Sequence, residues 1–149
     1  MVPRLLTTGP MAKILVVDDN PSTVAAMTKL LEGDRHAVAS FTNAASAIDA
    51  IRREPFDVVV SDLELPTVDA HAVLRAVAVH SPCACRVVIS ARARENAEPL
   101  VRAGACLVAD KPLAYDDLVA ALGRCRARGG QGHPGCPIAA RGGCGAKES

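Results

Sequence analysis

The chain has 149 residues, enough for one ordinary domain of about 110 to 120 residues plus tails and too few for a second. With 17 Lys+Arg against 16 Asp+Glu and acids and bases interleaved, it lacks the basic surface through which a nucleic-acid-binding protein works, so no direct DNA binding is expected. One Tyr, two Phe and no Trp leave no aromatic platform for stacking bases, and the core must be built from Val, Leu, Ile and Ala.

Residues 1–12 read as a flexible leader, or as the product of a misplaced translation start, with no function of their own. Leu5-Leu6 is too short for a signal-peptide core and no later stretch approaches a membrane span, so a cytoplasmic protein is expected. Lys13–Val17 is an apolar strand that runs into Asp18-Asp19-Asn20. Pro21 then takes a first helical position behind an Asn20 cap, and Val24, Met27 and Leu31 fall on one face of the helix. Residues 36–41 form a weaker strand, nearer an edge. Ala44, Ala47, Ile48 and Ile51 recur at helical spacing up to Pro55.

Three consecutive valines, 58–60, lie between Pro55 and Pro66 and suit a central parallel strand covered on both faces. This strand carries Asp62 to its carboxyl end, where open α/β sheets bind their ligands. Asp69 can cap the next helix, which carries Val73, Leu74 and Val77 and ends at Ser81-Pro82. Residues 86–90 form a fourth strand that delivers the hydroxyl of Ser90. A helix over 91–103 should be short or irregular, because Pro99 cannot sit deep in one without removing a backbone hydrogen bond. Gly104 stops it, residues 105–109 form the fifth strand, and Lys111-Pro112 follows. The last helix spans 115–126, with Leu118, Val119, Leu122 and Cys125 inward and Asp116 and Asp117 in its first turn.

Five β/α units with short connections imply an α/β fold: a five-stranded parallel sheet with helices on both faces. Its carboxyl edge then gathers Asp18 and Asp19 from strand one, Asp62 from strand three, Ser90 from strand four and Lys111 from strand five. Carboxylates so gathered repel one another, and a hard divalent cation with oxygen ligands, Mg2+ best, neutralises them. A lysine and a hydroxyl beside a metal-bound carboxylate make a receptacle for a phosphoryl group.

These elements resemble the receiver domain of bacterial two-component response regulators, of flavodoxin-like, CheY-like (βα)5 fold, over residues 13–127. The likeness rests on Val16-Val17-Asp18-Asp19, on Asp62 with Pro66 four residues later, on Ser90-Ala91 and on Lys111-Pro112, in order and at suitable spacing. It implies that Asp62 accepts phosphate from a phosphohistidine of a sensor histidine kinase or a histidine phosphotransfer protein. It further implies that Asp19, Asp62 and the backbone carbonyl of Glu64 bind Mg2+, with Asp18 acting through water. Lys111 would pair with the phosphoryl group, Ser90 would hydrogen-bond it, and the Lys111-Pro112 bond would be cis. Glu64 and Arg92 would flank the site and pair across its mouth, restricting the attacking water. The domain would thus be a switch that catalyses its own aspartyl phosphorylation and dephosphorylation.

The chain departs from the family pattern at Val108, where an aromatic switch residue is frequent three positions before the lysine, at Asp69-Ala70, where Asp-Gly is frequent, at Ala114 and at Pro99. An output surface that moves differently, or less, is expected. Residues 128–149, rich in Gly, Pro, Ala and Arg, read as a disordered tail. In the cytoplasm the six cysteines are expected to be reduced, and the spacings of Cys83, Cys85, Cys125, His133, Cys136 and Cys144 fit no compact zinc knuckle. The pattern is that of a stand-alone receiver whose output is binding to another protein. The alternative is a receiver-shaped interaction module that does not signal through phosphate. A Mg2+-dependent phosphohydrolase would need a substrate cap that this length does not supply, and a nucleotide-binding flavodoxin-like protein a glycine-rich loop after strand one.

Overall fold

The computed structural model describes residues 12–65, 70–82, 84–111 and 115–120. Nine elements alternate: β1 (Lys13–Val17), α1 (Pro21–Gly33), β2 (Ala37–Phe41), α2 (Ala44–Arg53), β3 (Val58–Asp62), α3 (Ala70–His80), β4 (Cys85–Ser90), α4 (Ala93–Arg102) and β5 (Leu107–Asp110). Residues 115–120 open a further helix, α5. All five strands are parallel, in the order β2-β1-β3-β4-β5. The direction of winding therefore reverses between β1 and β3, and that crevice at the carboxyl edge is where such sheets bind ligands.

The period-two rule of strands divides the core cleanly. Leu15 and Val17 of β1 and Val59 of β3 pack against Ala44, Ala47 and Ile51 of α2 and Val73 and Val77 of α3. Their neighbours Ile14, Val16, Val58 and Val60 face the other way, with Val87 and Ile89 of β4, against Leu31 of α1 and Leu118 of α5. Every residue of β3 is buried, as the run of valines predicts for a strand covered on both faces. β2 is only half-buried and lies at an edge, also as expected.

Local signals set the helix starts. The Asn20 side chain accepts hydrogen bonds from Ser22 N at 2.9 Å and Thr23 N at 3.3 Å, and Pro21 follows it. Asn43 caps α2 in the same way through Ser46 N at 2.8 Å. Gly104 takes φ 120°, a conformation only glycine adopts without strain, and its N–H bonds the carbonyl of Val101.

Several expectations need correction. α4 is shorter than the expected span 91–103, as Pro99 suggested, but it is a continuous α-helix that runs through Pro99 and is not irregular there. Pro99 is exposed, as is Glu95, whose carbonyl loses the bond, so water can replace it while Leu100 is buried against the sheet. β5 begins at Leu107, because the N–H of Ala105 still bonds Leu100 at the helix end. β4 starts one residue early, at Cys85. Val119 is 43 % exposed, since the buried stripe of α5 runs through Leu118 and Tyr115 and Val119 lies about 100° further round. Cys85 is disulfide-bonded, against the expectation of reduced thiols, whereas Cys106 keeps its thiol. Compartment alone carries no information about which sulfurs lie close. The leader was expected to reach residue 12, but Ala12 is buried in the core and its carbonyl accepts from Ala37 N, so Ala12 belongs to the folded unit. Pro66, the Asp69 cap, Pro112, Ala114, Leu122, Cys125, residues 1–11 and the tail lie outside the described residues.

A charged residue no sequence pattern marked as core is among the largest buried side chains. Arg86 of β4 is 1 % exposed. It donates from one terminal nitrogen to the carbonyl of Gly104 at 3.3 Å and from the other to that of Pro82 at 2.6 Å. Both carbonyls lie just past helix C-termini, where the backbone dipoles favour a cation.

Candidate functional site: an acidic pocket at the carboxyl edge

β1 and β3 are neighbours, so their carboxyl ends bring Asp18, Asp19 and Asp62 together, with one carboxylate oxygen from each within 4.8 Å of the others. Asp18 and Asp62 are buried and Asp19 is exposed. Asp18 is braced by its own turn, its Oδ1 accepting from Asn20 N at 2.9 Å. The cap that starts α1 therefore also orients the first acid of the pocket.

Asp62 has a divided carboxylate. Its Oδ1 accepts from Lys111 Nζ at 2.8 Å and from Glu64 N at 3.1 Å. Its Oδ2 is buried and finds no hydrogen-bond partner. Burial pushes the Asp62 pKa above the ordinary 3.8 and the Asp18 charge adds to this; the Lys111 hydrogen bond and charge and the Glu64 N–H pull it down without cancelling the rise. Burial also works against the Lys111 ammonium, but its hydrogen bond to Asp62 and the charges of Asp62, Asp18 and Glu64 outweigh that and lift it above 10.5. One ammonium thus faces several carboxylates. A buried, unpartnered oxygen beside two further carboxylates fits a hard divalent cation with oxygen ligands.

Ser90, at the end of β4, is fully buried; its Oγ accepts from Arg92 N at 2.9 Å and donates to Glu64 Oε2 at 3.1 Å. Lys111 Nζ lies 3.7 Å from Glu64 Oε1. Glu64 and Arg92 were expected to pair with each other, but Glu64 turns inward to Ser90 and Lys111, and Arg92 Nε lies 3.9 Å from Glu95 of its own helix. A residue two past the acceptor follows the strand end back over the pocket, whereas Arg92 stands at the start of α4, whose first turn offers a carboxylate.

The pocket opens into a cleft of about 560 Å³ between α1 and α5, walled by Thr23, Met27, Leu30, Tyr115 and Leu118. Tyr115 closes its far end: the hydroxyl lies 2.6 Å from Asp34 Oδ2 and 3.1 Å from the carbonyl of Leu30. Sequence reasoning missed this tie. The signal was a single tyrosine four residues after Lys111, but the partner stands 81 residues earlier.

Parallel strand order and an acid cluster at the winding reversal make this an α/β protein of the flavodoxin-like, CheY-like class. More narrowly, the chain belongs to the response regulator receiver domain family, whose model matches residues 14–123. It is 34 % identical over 115 residues to the protein-glutamate methylesterase/protein-glutamine glutaminase of the group 3 operon of Cereibacter sphaeroides, an alignment covering 74 % of this chain and 31 % of that protein. The chain spans about a sixth to a third of the length of the curated relatives it matches. Among solved structures it is similar to a Clostridium thermocellum response regulator receiver domain, with TM-score 0.72, 25 % identity and coverage of 79 % of this chain and 96 % of that one. It is similar also to a Burkholderia pseudomallei response regulator solved with a phosphorylated aspartic acid, a calcium ion and citrate, with TM-score 0.69, 25 % identity and coverage of 74 % and 65 %. No helix among the described residues is long and apolar enough to cross a membrane.

Proposed function

We propose that this chain is a phosphoacceptor response regulator of a two-component phosphorelay, working in the cytoplasm through a receiver unit of residues 13–127. It takes a phosphoryl group from a phosphohistidine, on a sensor histidine kinase or a histidine phosphotransfer protein, onto Asp62, and signals by protein-protein interaction. The observation that carries this reading is the divided carboxylate of Asp62: one oxygen held by Lys111 and Glu64 N, the other buried and unpartnered. A carboxylate held in a pocket of like charge with a single ammonium is poised to react, not to brace a fold. The phosphorylated aspartic acid of the Burkholderia pseudomallei relative is a property of that protein, and its likeness to this chain supports the same role here.

In the proposed reaction an oxygen of Asp62 attacks phosphorus, the P–N bond to the donor imidazole breaks, and the leaving nitrogen keeps the bonding pair and is reprotonated. Lys111 Nζ, already 2.8 Å from Asp62 Oδ1, is in reach of the transferred oxygens, and Ser90 supplies a hydroxyl from β4. Asp19, Asp62 and the Glu64 backbone carbonyl would hold Mg2+, with Asp18 acting through water. Bound there, the ion supplies positive charge that relieves the mutual repulsion of the acids and of the incoming phosphoryl oxygens. Hydrolysis of the acyl phosphate by water returns Asp62 to the free acid.

Intact-mass spectrometry after incubation with Mg2+ and acetyl phosphate tests the reading. A labile adduct of one phosphate on the wild type and none on Asp62→Asn supports it. If the folded wild type takes no adduct from acetyl phosphate or from any phosphorylated kinase offered, the phosphate-independent interaction module replaces it.

A further inference from the structure

The pocket contains one carboxylate for which phosphoryl transfer has no use. Glu64 turns its side chain back over the site, so that Oε2 accepts from Ser90 Oγ at 3.1 Å and Oε1 lies 3.7 Å from Lys111 Nζ. Those are the two groups that, in the function proposed above, grip a phosphoryl group on Asp62. A serine hydroxyl has one proton to donate, and in this arrangement Ser90 gives it to Glu64 while accepting from Arg92 N. No donor capacity remains on Ser90 for a phosphoryl oxygen. The Lys111 ammonium is likewise shared between Asp62 and Glu64.

We propose that Glu64 is a resident occupant of the phosphoryl position, its carboxylate holding Ser90 and Lys111 in the unphosphorylated protein and being displaced when a phosphoryl group arrives on Asp62. The inference rests on the phosphoacceptor reading of that residue. A carboxylate and a phosphoryl group are both oxygen anions and satisfy the same two donors. They cannot share the pocket, because like charges at this separation repel and the phosphoryl group carries more charge. Covalently tethered to Asp62, the phosphoryl group wins the exchange. The Glu64 side chain is 52 % exposed, so its path out is open to water.

The exchange gives phosphorylation a visible consequence in a chain with no aromatic switch. Val108 packs beside Leu74, Val88 and Leu100 and has no ring to swing. What changes at the mouth is the position of the Glu64 carboxylate, from bonded within the pocket to free at its rim. The same occupancy slows loading, since every donor must displace it.

The test measures the initial rate of adduct formation from acetyl phosphate with saturating Mg2+ in wild type, Glu64→Ala, Ser90→Ala and the double variant. These substitutions leave the Glu64 main chain, and with it the carbonyl that would hold Mg2+, in place. Glu64→Ala is expected to load faster by about three- to tenfold, the net weight of one ordinary hydrogen bond, since the Glu64 side chain is half-exposed. In the Ser90→Ala background the gain should shrink to about twofold or less, because the bond that Glu64 must give up is already gone. A Glu64→Ala variant that loads at the wild-type rate or more slowly overturns the proposal while leaving Asp62 as acceptor. A gain as large without Ser90 as with it also overturns it, because Glu64 would then act only by repelling the donor. Absence of an adduct in the wild type defeats the underlying reading instead, and the two failures are distinct.

Discussion

The two edges of the sheet handle charge in opposite ways. At the amino edge the charges are met by acids or by main-chain carbonyls, although the buried Nε of Arg86 has no hydrogen-bond partner. Lys13 pairs with Glu54 and lies 5.4 Å above the Phe56 ring, its backbone N–H donates to Asp57 at 2.8 Å, and Arg86 donates to two main-chain carbonyls. At the carboxyl edge Asp18, Asp19 and Asp62 crowd together with Lys111 as their close ammonium and a buried oxygen unmatched. The first arrangement supports the fold; the second costs it stability, which suits the phosphoryl chemistry proposed for it.

The comparison predicts opposite signs for mutations at the two edges. The largest effect is at Arg86. Arg86→Ala should destabilise by about 2–4 kcal/mol in urea unfolding, because it leaves a cavity and two carbonyls without donors. Arg86→Met, which keeps the volume, should lose clearly less; equal losses would mean that packing contributes nothing there. At the other edge Asp62→Asn should raise the melting temperature in metal-free buffer. Its pKa is raised in the folded state, so the fold binds that proton more readily than the unfolded chain does. The stability linked to it is present below the ordinary 3.8 and is lost as pH rises through the folded value, leaving the ionised group unfavourable at neutral pH. Mg2+ should in turn raise the melting temperature of the wild type more than that of Asp62→Asn. A variant that melts lower than wild type in metal-free buffer would erase the distinction drawn between the edges.

A smaller loss is expected at Asn20, which serves both fold and site. Asn20→Ala should cost about 1 kcal/mol of stability through the lost cap, measured by thermal or urea unfolding. Smallest is the tie between α5 and α1. The single tyrosine makes the phenol directly visible by ultraviolet absorbance. Burial and the Asp34 carboxylate push the Tyr115 pKa up to about 12, so the contribution of this group to stability is full below its ordinary 10.0 and lost as pH rises through about 12. Asp34→Asn should bring the midpoint part of the way back toward the ordinary value. An unchanged midpoint would mean that burial alone holds the phenol.

The amino-acid pattern by itself determined the parallel α/β architecture and the members of the pocket. Strands such as Val58–Asp62 are marked by β-branched runs, and Asn20 and Pro21 start a helix through bonds that span only two or three residues. Because every strand of a parallel sheet points the same way, position at the strand ends alone assigns Asp18, Asp62, Ser90 and Lys111 to one edge. Tertiary structure alone decided what each group touches. Glu64 chose Ser90, 26 residues later, over Arg92; Tyr115 found Asp34; Val119 turned outward; α4 carried Pro99 on its wet side; and Arg86 sank into the core. Periodicity reports which face of an element is apolar, whereas the partner of a long polar side chain is set by where distant helix ends and strand ends meet.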